Sequence, residues 1–380
     1  MNILHITTFL QGGAGRIVRD LACHQKTKNN NVFIVSSETE ESGYCNYKEY
    51  IEELLNADIS VFKFDSTFKR DIYLNLNVVE NVRRIIKDND IEIIHAHAAV
   101  PAFVGINARL GTSKYIPVVQ TMHGWGINKS PEQEKMDITI MNSLDKVITV
   151  SKSDRERIIR KGVIPSLIST IYNGINDECI DIEDDLSKIF RKLKKSGYKI
   201  VGCIGTIYNR KNQKILIDAI RILKDNGYSN VIGVFIGDGS EIEKLNKLAS
   251  EYNIKENIIF CGYRPKAANY IKFFDCLSLP SLSEGFGLVI IESFREKTPV
   301  IVSDIDVFKE IVRNKVNGYM FSSNNAYSLY NYLKYVIFEA TFEEKDSIIK
   351  QAYKDFENKY KKDVMLNEYL KLYIELTSYS

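Results

Sequence analysis

The sequence has no C-x-x-C pair, no long hydrophobic run, no internal repeat, no low-complexity tract and no excess of charge of either sign. Each absence closes off a class of function. The six cysteines, Cys23, Cys45, Cys179, Cys203, Cys261 and Cys276, are scattered. Such spacing suggests neither a disulfide framework nor a zinc site. Several of them lie in apolar, strand-like runs, where cysteine acts as a small buried hydrophobe, so a reducing compartment is expected. A formal net charge of +2, from 51 basic and 49 acidic residues, argues against a nucleic-acid partner held by bulk electrostatics. No apolar stretch reaches the roughly 18–20 residues needed to span a bilayer. The amino terminus shows no basic segment followed by an apolar one and a cleavage site. A cytoplasmic chain is expected, with peripheral contact at the inner face of a membrane left open.

What is present is length and pattern. At 380 residues the chain exceeds the usual size of one hydrophobic core, so two domains are expected. Short apolar runs fall at residues 3–7, 32–35, 59–62, 91–95, 117–120, 146–150 and 168–171, and again at 199–205, 231–236, 258–261, 276–279 and 300–302. Segments of helical period, such as 74–87 and 151–161, lie between most of them. This alternation predicts βαβ units and parallel sheets covered on both faces. It breaks over the charge-rich stretch 177–195, and from about Leu329 onward only two or three amphipathic helices are expected. The predicted organisation is a Rossmann-like domain at 1–176, a linker at 177–197, a second Rossmann-like domain at 198–355, and a helix at 356–380 that crosses back to the first. Two such domains would face a central cleft, and open α/β sheets bind ligands at the carboxyl ends of their strands.

Chemistry-bearing motifs follow the strands. Residues 279–292 read LPSLSEGFGLVIIE: a strand end, a Pro-Ser turn, Glu284, then Gly285, Phe286 and Gly287 before an apolar helix beginning near Leu288. Glycines at a helix start let backbone amides approach an anion such as a diphosphate. Glu284 and Glu292, eight residues apart, would lie roughly 12 Å from one another along a helix, enough to reach groups on both sides of a diphosphate. Alone, the pair would read as a helix-start acid and a solvated helix acid. The second element is GTIYNRKNQ at 205–213, with Arg210 and Lys211 after a strand.

These residues resemble the retaining glycosyltransferases of family 4, which have the GT-B fold and an E-x7-E motif. The likeness runs from Ile3 to about Phe321 and is strongest from Lys199 onward. It implies that Glu284 borders the donor sugar, that Glu292 binds the ribose hydroxyls, and that the amides of Phe286, Gly287 and Leu288 face the sugar and phosphates. It places Lys211 on a diphosphate-gripping lysine. Thr206 stands where the family usually has a second cation; either Arg210 supplies that charge or the site holds its phosphates more weakly. Tyr263 and Arg264 match the loop that borders the nucleotide base. Lys297 and the stretch 306–308 replace glycines common in the family. Residues 237–239 (Gly-Asp-Gly) resemble a family turn, but a strand-to-helix turn needs such residues in any case.

In the first half, QGGAGR at 11–16 opens a helix after the first strand, so Gly12 and Gly13 are candidate donor contacts and Arg16 an acceptor contact. A tight strand-to-helix turn explains the glycines equally. His123, in QTMHG, resembles a family histidine near the reacting sugar. His95 and His97, two apart, would share a strand face, with His97 a packing or acceptor-side residue. A metal site would need a third ligand that spacing does not show, and no metal is expected. The pairs Lys69-Arg70 and Arg83-Arg84 read as solvated helix faces or as weak lipid contacts. Asp304 and Asp306 have D-x-D spacing but read as turn acids.

The implied reaction moves a sugar from a nucleoside diphosphate sugar, as co-substrate, to a hydroxyl of a sugar, lipid-linked sugar or small molecule, with retention and without a metal or other cofactor. Lys211, Glu284 and His123 are the residues expected to act in it. A sugar phosphorylase, a nucleotide-sugar epimerase or a catalytically silent scaffold on the same fold remain alternatives.

Overall fold

Runs of isoleucine and valine without polar alternation become buried parallel strands. In the computed structural model, which describes residues 1–38, 46–65, 68, 70–126, 129–178 and 180–378, every residue of Val231–Ile236 and Val118–Met122 is buried. Strands covered on both faces need no polar side, and Val231–Ile236 shows none. Cys45, Lys69 and Cys179 lie outside the described residues.

The chain forms two compact units, one from Met1–Asn173 with Asp363–Ser380 and one from Gly174–Lys362. The first holds a seven-stranded sheet of β1 (Asn2–Ile6), β2 (Asn31–Ser37), β3 (Ser60–Phe64), β4 (Ile93–Ala96), β5 (Val118–Met122), β6 (Lys146–Thr149) and β7 (Ile168–Thr170). Its spatial order is β3-β2-β1-β4-β5-β6-β7, with all pairings parallel. The second unit holds β8 (Lys199–Ile204), β9 (Val231–Ile236), β10 (Ile258–Phe260), β11 (Cys276–Leu279), β12 (Val300–Ser303) and β13 (Tyr319–Phe321), in the order β10-β9-β8-β11-β12-β13. Both orders reverse direction once, between β1 and β4 and between β8 and β11. In doubly wound sheets ligands bind outside the carboxyl ends of the strands at that reversal.

Two segments differ from the sequence expectation. The stretch expected as linker contains the helix Asp185–Lys195, begun by a capping box between Asp184 and Ser187. Two apolar anchors suffice to hold it in the second unit: Leu186 and Phe190 are buried, and Phe190 packs edge-on against Tyr270 and Phe274. β13, three residues long, was too short to show a period. The chain beyond Leu329 forms the helices Ala326–Lys334, Phe342–Asp355 and Lys362–Thr377, the first two continued by π-turns at Tyr335–Glu339 and Phe356–Tyr360. The last of these helices lays Tyr369 and Tyr373, both fully buried, on the first unit. No helix among the described residues is long and apolar enough to cross a membrane.

Candidate functional site

In the second unit the loops after β8 and β11, the two strands flanking the reversal, are joined to one another. Leu282 donates its backbone N–H to the Arg210 carbonyl at 2.8 Å, and Arg210 Nη1 donates to the Ser283 carbonyl at 3.3 Å. Across this junction Lys211 Nζ meets Glu284 Oε1 at 2.5 Å, Ser281 Oγ donates to the same oxygen at 2.7 Å, and Arg210 Nη1 lies 3.7 Å from Oε2. Burial by itself would push the Glu284 carboxyl up, but Lys211, with Ser281 and Arg210, outweighs it and holds the carboxyl below its ordinary range. One carboxylate thus fixes both cations beside the turn. The Thr206 carbonyl accepts from Gln213 Nε2 at 2.9 Å.

The helix Leu288–Arg295 starts at this turn. Gly287 has φ +103°, and a Cβ there would stand 2.8 Å from the Phe308 ring, so the position needs glycine twice over. Phe286 is buried against Tyr360, and Glu292 is buried within the helix. The first amides of any helix have no intrahelical acceptor, so the start at Gly287 and Leu288 can bind an anion. Gly285 lies in the turn just before them. Tyr263 and Arg264 occupy the exposed loop after β10, where Arg264 Nε donates to the Cys261 carbonyl at 3.2 Å.

The Gly237–Gly239 turn is explained by close approach. A Cβ on Gly237 would stand 1.9 Å from the Gly205 carbonyl oxygen, and one on Gly239 2.2 Å from that of Ile207. Lys297, where relatives often carry glycine, has φ +55° in the helix-ending position and lays its ammonium 4.5 Å from the centre of the Tyr353 ring. Asp304 accepts from the backbone and hydroxyl of Ser323 (2.9 and 2.6 Å). The thiols of Cys203 and Cys261 are pushed up by burial, to about 12 and 11, as befits packing residues.

In the first unit the helix Gly12–Thr27 follows β1. Gly12 has φ +57° with open space around it, Gly13 is exposed, and Gly15 packs where a Cβ would stand 2.6 Å from the Leu10 backbone. Arg16 lies one turn in, near Tyr50. Strand β5 ends at Met122, so His123 lies just past its carboxyl end, followed by Gly124 at φ +138°. Beyond it Trp125 donates Nε1–H to Glu134 at 3.1 Å, and Lys129 sits 3.6 Å above its ring.

His97 and His123 do come together, with His97 Nδ1 3.1 Å from His123 Nε2. The residue that sequence reasoning missed is His5. It lies on β1 in register with His95, and its Nδ1 is 3.0 Å from His97 Nε2. His5, His95 and His97 hold ring nitrogens within 4.8 Å of one another, a spacing open to a metal ion. Each of those nitrogens is instead engaged in a hydrogen bond within the protein. Burial lowers His5 and His123 to about 4 and takes His95 and His97 well below their ordinary value, so all four rings are neutral at neutral pH.

Two family models match the chain: Glycosyltransferase Family 4 over residues 11–178 and Glycosyl transferases group 1 over residues 185–355. The chain is a family 4 glycosyltransferase. Among curated proteins it is 26 % identical over 309 residues to the UDP-Gal:alpha-D-GlcNAc-diphosphoundecaprenol alpha-1,3-galactosyltransferase of Escherichia coli, covering 76 % of this chain and 78 % of that one. The structure of this glycosyltransferase is similar to that of Anabaena HepE in complex with UDP and glucose, with a TM-score of 0.82, 20 % identity and coverage of 98 % and 99 %. It is also similar to sucrose-phosphate synthase from Thermosynechococcus elongatus, with a TM-score of 0.80, 17 % identity and full coverage of both chains. These likenesses show the GT-B fold of two Rossmann-like units.

Proposed function

We propose that this glycosyltransferase moves a sugar from a nucleoside diphosphate sugar to an acceptor hydroxyl with retention of anomeric configuration. The observation that supports this reading most is the Lys211–Glu284–Arg210 cluster beside the start of the helix Leu288–Arg295. The acceptor oxygen forms its bond to the anomeric carbon on the face from which the diphosphate leaves. Its proton passes to a departing phosphate oxygen, so no separate base is required. Lys211, Arg210 and the amides at Gly285–Leu288 oppose the charge developing on the diphosphate, the task a divalent ion serves in other transferases. Glu284 borders the sugar, Glu292 takes the ribose hydroxyls, and Tyr263 and Arg264 flank the base. Gly12, Gly13 and His123 are the first unit's candidates for the donor, and Arg16 and His97 those for the acceptor.

The Escherichia coli relative is named for a UDP-galactose donor and a diphosphoundecaprenol-linked acceptor, and the Anabaena structure holds UDP and glucose. They favour synthesis of a lipid-linked oligosaccharide or surface polysaccharide at the cytoplasmic face of a membrane, reached by peripheral contact. The test is a product assay with nucleotide sugars and a polyprenyl-diphosphate-linked sugar. Nucleoside diphosphate released only with acceptor present, and an α-linked product from an α-linked donor, support the reading. Release of a sugar 1-phosphate, or a product of inverted configuration, contradicts it.

A further inference from the structure

The helix Leu288–Arg295 has eight residues, about two turns, and a helix that short is not stable by itself, so its surroundings must hold it. Just before its start, Phe286 packs edge-on against Tyr360, with ring centres 5.9 Å apart. At its end the Arg295 side chain is buried, only 3 % exposed, and reaches two partners at once. Nε and Nη2 donate to Glu296 Oε1 at 3.0 and 2.8 Å. Nη1 donates to the Asn176 carbonyl at 3.2 Å and to Asn176 Oδ1 at 3.3 Å.

Asn176 lies two residues past Gly174, where the chain enters the second unit, and its neighbours on both sides are fixed. Ile175 donates its N–H to the Tyr360 carbonyl at 2.9 Å and accepts from the Lys362 N–H at 2.7 Å. Asp177 pairs with Lys361 Nζ at 3.0 Å. A Cβ on Gly174 would stand 2.5 Å from the Lys361 carbonyl oxygen, so the two segments touch along their backbones. Both ends of the helix therefore rest on one pair of joined segments, residues 174–177 and 360–362.

A cation in the last turn opposes the helix dipole, but that interaction needs no burial. Burying Arg295 with Glu296 costs solvation that an apolar pair would keep, so stability alone does not explain these two residues. What a guanidinium adds is orientation, because its rigid fork meets several acceptors in one geometry. The Glu296 N–H in turn donates to the Glu292 carbonyl at 2.9 Å, which links Asn176 through Arg295 to the turn that carries Glu292. We propose that Arg295, anchored on Asn176, is a positioning residue for the donor. It fixes the last turn of the helix so that the Glu292 carboxylate is held where the ribose hydroxyls of a nucleoside diphosphate arrive. This role rests on the donor-site reading above.

The test is a double-mutant cycle of Arg295 and Glu292 in the full chain, read by titration calorimetry with UDP, GDP, ADP and dTDP. Arg295→Lys keeps the charge at the helix end but cannot bridge Glu296 and Asn176 with one planar group. It should weaken the diphosphate that the native protein binds by about tenfold, and by less than about twofold in the Glu292→Ala background. A purely structural loss would weaken binding by the same factor in both backgrounds. Arg295→Met/Glu296→Gln, which leaves no lone buried charge, should give the same pattern and replaces Arg295→Lys if that variant does not fold. Native affinity in the Arg295 variant, or an equal loss in both backgrounds, overturns the positioning role. A native protein that binds none of the four diphosphates contradicts the donor-site reading itself, and the positioning role with it.

Discussion

Lys211 and Glu284 are 73 residues apart in the chain and meet at 2.5 Å, joining the loops that follow the two strands at the reversal of the second sheet. Both side chains are nearly buried, so the pair is both a structural joint and a store of fixed charge at the place proposed for the diphosphate.

Breaking that joint from one side should therefore cost more than removing it. Lys211→Met leaves a buried carboxylate with only Arg210 and Ser281 to oppose it, and should destabilise the protein by roughly 3 kcal/mol. The double variant Lys211→Met/Glu284→Gln should recover a good part of this loss. Urea denaturation of the single and double variants measures the difference. Both should lose transfer activity by about 100-fold or more, because the charge opposing the leaving group is gone.

Stability should fall with acid through the histidine series. His5 and His123 are lowered to about 4 when folded, from 6.5 when unfolded. Between these values the unfolded chain binds more protons than the folded one, so stability is fully present above pH 6.5 and declines as pH drops toward 4. Each ring contributes a slope of up to about 1.4 kcal/mol per pH unit. Denaturation midpoints between pH 5 and 7 should show this slope in the native protein and a shallower one in His5→Phe. Equal slopes would contradict neutral burial of His5.

The C-terminal helix should depend on its two tyrosines. Tyr373→Phe removes the hydroxyl paired with His95 Nδ1, leaving a buried ring nitrogen unpaired, and should cost about 1–3 kcal/mol. Tyr369→Phe, which removes a partner of Thr121 at 3.0 Å, should cost less, because His95 Nε2 still pairs with that threonine. Thermal denaturation of the two variants orders them.

Two glycines separate steric need from conformational preference. Gly237→Ala sets a Cβ 1.9 Å from a backbone oxygen and should destabilise the second unit by roughly 3 kcal/mol or more. Gly12→Ala meets nothing within 4 Å and pays only for φ +57°, about 1 kcal/mol. If Gly12 contacts the donor, its variant should lose nucleotide-sugar affinity beyond that small stability change.

Much of the fold was legible because buried parallel strands leave an unmistakable apolar signature, as in Val231–Ile236 and Val300–Ser303. Tyr319–Phe321 was not, since three residues carry no period, and Asp185–Lys195 was hidden by its charge although Leu186 and Phe190 anchor it. At the candidate site, Glu284, Lys211 and Glu292 were readable from their motif, whereas the sharing of Glu284 between Lys211 and Arg210 needed the meeting of two loops. His5 could not have been joined to His97 from spacing alone. Only the pairing of β1 with β4 sets His5 beside His95, and a parallel pairing between strands about ninety residues apart leaves no local trace.

The central claim, a nucleoside diphosphate sugar site built on Lys211, Glu284 and Glu292, is tested most directly by thermal stabilisation with UDP, GDP, ADP, dTDP and CMP, in the native protein and in Glu292→Ala. A ligand that binds only the folded state raises stability by mass action, by about 2.7 kcal/mol at one hundred times its Kd. Selective stabilisation by one diphosphate, lost in Glu292→Ala, is the predicted result. No stabilisation by any of the nucleotides, or equal stabilisation of native protein and variant, would contradict it.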